Sequence, residues 1–159
     1  MNTKILFYEK QRFTQWYIIL FFMAIDGFVI NNVMKAENFQ SAYENGAVFG
    51  FIVLALVNIL FLLLKMETTL KEDGVYLRFF PIIRTRCYPW SDIQKIETVK
   101  YNPFLYGGWG IRYGAYSVSG NKALELQFKN GSKLLIGTKQ PEAMQNVLNS
   151  ITENEKNTF

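Results

Sequence analysis

Residues 46–64 read GAVFGFIVLALVNILFLLL, a run of nineteen residues whose only polar side chain is Asn58. The run contains no charged residue. At about 1.5 Å per helical residue it spans roughly 28 Å, close to the thickness of the hydrocarbon layer of a bilayer. A helix at the surface of a soluble core keeps a polar face, and this run has none. We therefore predict a transmembrane helix here, and the rest of the chain divides around it.

A second apolar segment, residues 16–34, begins WYIILFFMAIDGFVI and precedes the first. Its aromatic start is typical of the headgroup level of a membrane helix. A signal peptide is the competing interpretation, because a basic start leads into an apolar stretch. No small-residue cleavage site follows the stretch, and Asp26, Asn31 and Asn32 interrupt it. We therefore predict an uncleaved second membrane helix.

The connection between the two helices, residues 35–45, is short and polar, which predicts an antiparallel helical hairpin. Basic residues set its orientation, because cytoplasmic flanks carry the excess of Lys and Arg. The connection has only Lys35, whereas the outer flanks have five basic residues: Lys4, Lys10, Arg12, Lys65 and Lys71. We expect a multi-pass protein of the inner (plasma) membrane with both termini in the cytoplasm. Residues 1–15 are then a basic cytoplasmic tail, with an interfacial amphipathic stretch as the alternative.

Asp26 and Asn58 are the candidate polar residues inside the membrane. A carboxylate at the centre of a membrane helix costs about 3 kcal/mol, so its presence suggests a function. One interpretation is a proton or cation site in which Asp26 meets Asn58 of the other helix. The other is a near-interface residue or a polar contact between helices, and we favour this second interpretation.

From residue 66 onward the apolar pattern changes to the alternation typical of strands. Asp73–Gly74 and Asn130–Gly131 are signals for tight hairpin turns. The spacing Ile93/Ile96 breaks strict alternation and predicts a bulge or a short turn. We expect about seven strands and then a helix over residues 140–152 with Pro141 near its first turn, followed by a frayed tail at 153–159. The strands are expected around residues 67–79 (a hairpin), 83–88, 93–101, 123–128 and 133–136.

Composition argues against several classes of function. The chain has no histidine, the commonest neutral-pH acid–base residue and metal ligand, and we predict no catalytic site, no metal and no cofactor. The net charge of +4 is too small to indicate nucleic-acid binding, and no nucleic-acid motif is present.

The single cysteine, Cys87, cannot form an intrachain disulfide. We expect its thiol on the inward face of a strand, with Ile83 and Thr85.

Three phrases of the second half carry a resemblance: WSDI at residues 90–93, NG at 130–131 and IGTKQPE at 136–142. With the predicted order of strands and closing helix, residues 66–152 resemble the bacterial pleckstrin-homology-like domains. The whole chain resembles small bacterial membrane proteins of uncharacterised function with a two-helix anchor before such a domain, and GGWGIR at 107–112 is the most distinctive piece. The resemblance implies an α+β membrane protein: a transmembrane α-hairpin, then a bent β-barrel plugged by a C-terminal helix. It implies no enzyme activity.

The chain departs from the phosphoinositide-binding members of that superfamily, which carry Lys and Arg around the first loop between strands. We assign that loop to residues 71–74, KEDG, where two of the four residues are acidic. The candidate interaction surface lies elsewhere, at Arg84, Arg86, Trp109 and Arg112. Tryptophan and arginine are typical hot-spot residues, and arginines also face anionic headgroups. The structural alternative is a solvated strand face for the arginines and a barrel corner, with Trp109 packed inside, for the glycine-rich run.

We expect a membrane-tethered, non-catalytic interaction module that binds a membrane protein partner or an anionic lipid surface. Its partners would be the lipid bilayer and one of these two, with a homo-oligomer as a further option. The alternative function is an accessory subunit of a transport or channel complex that uses Asp26 and Asn58. Two helices are too few for a pore, so this alternative requires oligomers.

Overall fold

The computed structural model describes residues 3–36, 38–44, 46–106, 108–112 and 114–156. The protein is α+β, with an apolar helix near the N-terminus, sheets of four and five strands, and a C-terminal helix. The chain forms two compact units: a helical unit of residues 13–64, and a β unit made of residues 1–12 together with 65–159. The helical segment is therefore inserted within the sequence of the β unit.

The helical unit has three helices: α1 (Trp16–Met34), α2 (Phe39–Glu44) and α3 (Ala47–Leu63). Neither α1 nor α3 contains a buried residue. They run antiparallel, since Phe61 near the end of α3 contacts Phe13, just before α1, and Phe22 in the first half of α1, with ring centroids 5.2 and 4.9 Å apart. Among the described residues, α1 alone is long and apolar enough to cross a membrane by length and composition, and α3 is apolar but shorter, with 17 residues. The predicted polar connection at 35–45 contains α2.

The four-stranded sheet has the order β1–β2–β3–β4, and every neighbouring pair is antiparallel. Its strands are β1 (Ile5–Arg12), β2 (Lys65–Lys71), β3 (Gly74–Phe80) and β4 (Ile83–Pro89). Strict alternation buries one face of β2 and β3, as expected for strands with one face on a core. That face contributes five buried apolar side chains to the core: Met66, Leu70, Val75, Leu77 and Phe79.

The prediction that residues 1–15 form a tail is wrong for residues 5–12, which form strand β1 of the sheet. β1 pairs with β2 from Ile5–Lys71 to Arg12–Lys65. The β unit therefore begins with this strand and not at residue 66. The acidic loop at Glu72–Asp73 is the second connection of the sheet, and the first is the helical segment 13–64.

The five-stranded sheet has the order β5–β8–β9–β7–β6. Its strands are β5 (Ile93–Lys100), β6 (Gly110–Arg112), β7 (Ala115–Ser117), β8 (Lys122–Phe128) and β9 (Lys133–Gly137), and α4 (Pro141–Lys156) follows. α4 packs Met144 and Leu148 against the β unit. The Gln140 N–H donates to Thr138 Oγ1 at 3.0 Å in a turn just before α4, and the Gln140 carbonyl accepts the Met144 N–H of the first helical turn at 3.0 Å. Two open sheets and a closing helix fit a bent barrel.

Several sequence predictions are confirmed in this unit. The hairpin at 67–79, the strands near 83–88, 93–101, 123–128 and 133–136, and the register irregularity between Ile93 and Lys95 are all present. The described residues contain nine strands, two more than expected, and α4 continues to Lys156 through part of the predicted frayed tail. Residues 157–159 and Gly107 lie outside the described residues.

The predicted inward face of β4 is wrong, and Cys87 is exposed. Phe79 pairs with Ile83 whereas Leu77 pairs with Arg86, so β4 has one extra residue between these two pairs. A one-residue bulge exchanges the two faces of the strand beyond it. Cys87 consequently lies opposite the outward Tyr76, and the next residue, Tyr88, lies opposite the buried Val75.

Candidate interaction surfaces and the polar helix pair

The helical segment enters and leaves the β unit at one pair of residues. Arg12 is the last residue of β1 and Lys65 is the first of β2, and these two are direct partners across the strands. Three residues separate Arg12 from α1, and one residue separates α3 from Lys65. In the topology of the β unit, residues 13–64 therefore take the place of a hairpin loop between two adjacent strands.

The connection between β3 and β4, which we call the β3–β4 turn, consists of Phe80, Pro81 and Ile82 and lies at this same end of the sheet. Phe80 pairs with Lys65 across β3 and β2. Ile82 is 58% exposed. Two cations lie over the Phe80 ring, with the Lys65 Nζ and the Arg78 guanidinium carbon each 5.2 Å from its centroid. An apolar turn at this end is thus bordered by basic side chains.

Basic residues dominate this end of the sheet. Residues 10–12, 65–67 and 78–84 contain five basic side chains and one acidic one, Glu67. Glu67 forms ion pairs with Lys65 at 3.1 Å and with Arg78 at 3.6 Å. Glu67 and Lys65 are partly buried, and one carboxylate does not balance five basic residues, so the cluster remains a field of positive charge. The remaining three basic residues, all exposed, are Lys10, Arg12 and Arg84.

The opposite end of the same sheet has a different character. Residues 4–6, 71–74 and 88–92 contain two basic and three acidic side chains. The Tyr76 hydroxyl donates a 2.6 Å hydrogen bond to Asp73 Oδ2. This bond raises the pKa of Tyr76 and lowers the pKa of Asp73, because it favours the neutral phenol and the ionised carboxylate. The sheet is therefore polarised, with a basic end at the helical insertion and an acidic end away from it.

The four residues of the predicted interaction surface lie on two different sheets. Arg84 and Arg86 are exposed on β4, an edge strand of the four-stranded sheet, while Arg112 is exposed on β6, an edge strand of the other. Burial and the neighbouring Tyr116 raise the pKa of Tyr88. The guanidinium of Arg86 lowers this pKa and so offsets part of the increase. Arg84 belongs to the basic end described above, Arg86 lies opposite Leu77 outside that end, and Arg112 lies in the other sheet.

Trp109 precedes β6 and is half-buried. Its indole N–H donates to the Gly120 carbonyl at 3.0 Å, and its ring meets Phe104 edge-on at 5.9 Å. Gly108 and Gly110 on either side have φ of 96° and 121°, values that L-residues rarely adopt, so the glycines here serve the backbone. Phe104 and the adjacent Leu105 are 76% and 82% exposed and form a second apolar surface. Sequence patterning did not identify this pair as a candidate.

Asp26 and Asn58 of the helical unit are in direct contact. The Asn58 side-chain amide donates to Asp26 Oδ1 at 2.9 Å and to the Leu54 carbonyl of its own helix at 3.1 Å. Both side chains are partly buried and open onto a groove of about 350 Å³ between α1 and α3. The contact suggested by the sequence is therefore present. It is a polar contact between two helices that are otherwise largely apolar.

A buried polar clasp, missed by sequence reasoning, joins β1 to the start of α4. Glu9 is 3% exposed and accepts hydrogen bonds from the Thr138 hydroxyl at 2.7 Å and from the Lys139 N–H at 2.8 Å. The Gln11 amide donates to the Gly137 carbonyl at 2.8 Å. A buried carboxylate requires such donors, because an unpaired one is costly. The first strand of the β unit is thereby tied to the last strand and helix.

The described residues contain no group of three His, Cys, Asp or Glu side chains that could hold a metal ion. What the geometry offers instead is a pair of surfaces: a basic, apolar-tipped end of one sheet and an exposed aromatic loop on the other. The chain matches no protein-family model, no curated protein and no solved structure.

Proposed function

We propose that the chain is a membrane-tethered, non-catalytic interaction module with a pleckstrin-homology-like β unit. In this proposal α1 and α3 cross the inner (plasma) membrane as a hairpin, and the β unit works at its cytoplasmic surface on an anionic lipid or a membrane protein partner. The observation that carries the proposal is the insertion of an apolar helical segment between the paired residues Arg12 and Lys65.

Several features support the tether. Apart from a few polar residues, Asp26 and Asn58 among them, α1 and α3 present apolar side chains, and neither helix has a buried residue, as expected of helices whose solvent is lipid. Antiparallel helices that leave and re-enter one pair of strands need both outer ends on one side of a membrane. The Lys and Arg excess at those ends supports the cytoplasm as that side, because cytoplasmic flanks carry the excess of basic residues. Confinement to the surface raises the effective concentration of the β unit for anything else bound there.

The single cysteine offers a direct test of this topology. Cys87 is exposed on β4, so a membrane-impermeant thiol reagent reaches it only from the side that the β unit occupies. We expect no labelling in intact cells that express the chain and strong labelling in inverted membrane vesicles. In a Cys87→Ser background, Ser41→Cys in α2 should show the reverse pattern. Labelling of both positions from one side, or extraction of the chain by alkaline carbonate, overturns the proposal.

The second candidate function, an accessory subunit of a transport or channel complex, rests on the Asp26–Asn58 hydrogen bond. Ionisable residues within membrane helices commonly mark ion or proton paths. A path through a two-helix chain requires other copies or other subunits around the groove. Ion flux and its loss on Asp26→Asn distinguish this function from the interaction module.

A further inference from the structure

We infer that the β3–β4 turn and the basic residues around it form a docking surface for the anionic lipid of the bilayer that holds the helical hairpin. Ile82 enters the interfacial layer, and Arg12, Lys65, Arg78 and Arg84 meet the headgroups. The inference rests on the proposed membrane tether, and it names lipid as the partner of this surface.

Exposure of Ile82 alone would carry no argument, because single exposed aliphatic residues are ordinary. Ile5, at the opposite end of the same sheet, has the same exposed fraction of 58%. The difference lies in the neighbours. Ile82 follows a ring that two cations cover, whereas Ile5 pairs with Lys71 beside the acidic loop. Apolar tips within basic surroundings are typical of elements that insert at an anionic interface.

Chain continuity supplies the second, independent argument. Lys65 pairs with Phe80 on one side and with Arg12 on the other, so all three are level in the sheet. One residue, Leu64, separates Lys65 from α3, which limits that path to about 7 Å. The apolar turn is only one strand away from Lys65, about 5 Å. If α3 enters the bilayer, these short distances keep the β3–β4 turn close to the bilayer surface.

Charge supplies the third argument. Each Lys or Arg near an anionic leaflet contributes about 1 kcal/mol, which is about a fivefold change in the ratio of docked to undocked states. Five basic residues against one acidic residue at this end favour docking, while two basic against three acidic residues at the other end do not. We therefore expect the basic end to dock on an anionic bilayer and the acidic end to stay away from it. The acidic end is the internal control of the experiment.

The test uses the full chain in a Cys87→Ser background, reconstituted in vesicles of phosphatidylcholine with or without phosphatidylglycerol. An environment-sensitive fluorophore is attached at Ile82→Cys or, as the matched control, at Ile5→Cys, about 20 Å away along the sheet. We expect nitroxide-labelled lipid to quench the fluorophore at position 82 and not at position 5. Quenching at 82 should fall when phosphatidylglycerol is omitted or the salt concentration is raised.

Charge variants complete the test. Arg12→Gln and Arg84→Gln should each lower the docked-to-undocked ratio about fivefold in phosphatidylglycerol vesicles, while Lys4→Gln at the far end should leave it unchanged. Equal quenching at positions 82 and 5 in a carbonate-resistant, integrated chain overturns lipid docking and leaves the tether intact. Extraction of the chain by carbonate overturns the tether itself. Shielding of position 82 in native membranes alone, with no dependence on phosphatidylglycerol, overturns lipid docking in favour of a protein partner.

Discussion

Asp26 and Asn58 form a contact whose role substitution can decide. The 2.9 Å hydrogen bond joins two helices that otherwise meet through apolar side chains. Such bonds inside membranes contribute about 0.6 kcal/mol on average and up to about 1.7. We expect Asp26→Leu and Asn58→Leu to destabilise the hairpin with a coupling energy in this range, measured by a double-mutant cycle in detergent. Asp26→Asn should retain much of the coupling, because its amide oxygen still accepts from Asn58.

A proton or cation path makes a different prediction for the same residue. The purified chain in liposomes would then carry an ion flux that Asp26→Asn abolishes without loss of folding. We expect no such flux from the chain alone, since two helices do not enclose a pore. A coupling energy near zero together with an Asp26-dependent flux would reverse our preference between the two functions.

Substitution of the buried Glu9 should markedly lower the free energy of unfolding of the β unit. Its carboxylate accepts from Thr138 and Lys139 in a buried environment, and hydrogen bonds to charged groups contribute about 1.5–3 kcal/mol each. We expect Glu9→Leu to lower the free energy of unfolding by about 3 kcal/mol, because the Lys139 N–H loses its acceptor. Glu9→Gln should cost less, about 1–2 kcal/mol, since one oxygen remains.

The matched control for Glu9 is its exposed neighbour Lys10. Lys10→Gln should change the free energy of unfolding by no more than about 0.5 kcal/mol. Chemical denaturation of the full chain in detergent, followed by the signal of the β unit, measures all three variants. Equal effects of Glu9→Leu and Lys10→Gln would show that the clasp contributes nothing to stability.

At the level of elements, β1 illustrates what the sequence conceals. Strand prediction relies on alternating apolar residues, and the inward positions of β1 are Phe7, Glu9 and Gln11. Two of the three are polar, because their partners are backbone and side-chain groups of residues 137–139, far along the chain. No local pattern reveals partners at such a separation. Basic residues, Lys10 and Arg12, lie next to these positions in the sequence, and they made a cytoplasmic tail the simpler interpretation.

Elements whose signals are local were predictable. The two apolar helices need only a continuous apolar run, and α1 has the predicted bounds, 16–34. The β2–β3 hairpin needs only Asp73–Gly74 and alternation on either side. The face of β4 was not predictable, because the bulge between Ile83 and Arg86 depends on pairing with β3. The sequence did not show that Arg84 and Trp109 belong to parts of the chain in different sheets, because residue type says nothing about which sheet a strand joins.

At the scale of the whole molecule, the helical segment is an insertion into a discontinuous β unit. Residues 66–159 alone would lack β1, expose the edge of β2 and remove the buried clasp at Glu9 and Gln11. Small domains are stable by only about 5–15 kcal/mol, so loss of a whole strand is enough to unfold one. The unit that can be separated from the helical segment is therefore residues 3–12 joined to 65–156.

This topology predicts that the helical segment can be replaced by a minimal turn. Arg12 and Lys65 are direct partners, so an Asn-Gly pair in place of residues 13–64 should close a two-residue hairpin. We expect this variant to be soluble without detergent, to unfold cooperatively, and to protect the β1 amides from hydrogen exchange. The fragment 66–159 is the control, and it should aggregate or lack cooperative unfolding. If the fragment is as stable as the joined variant, β1 is dispensable; if both fail to fold, the β unit depends on the helical hairpin itself.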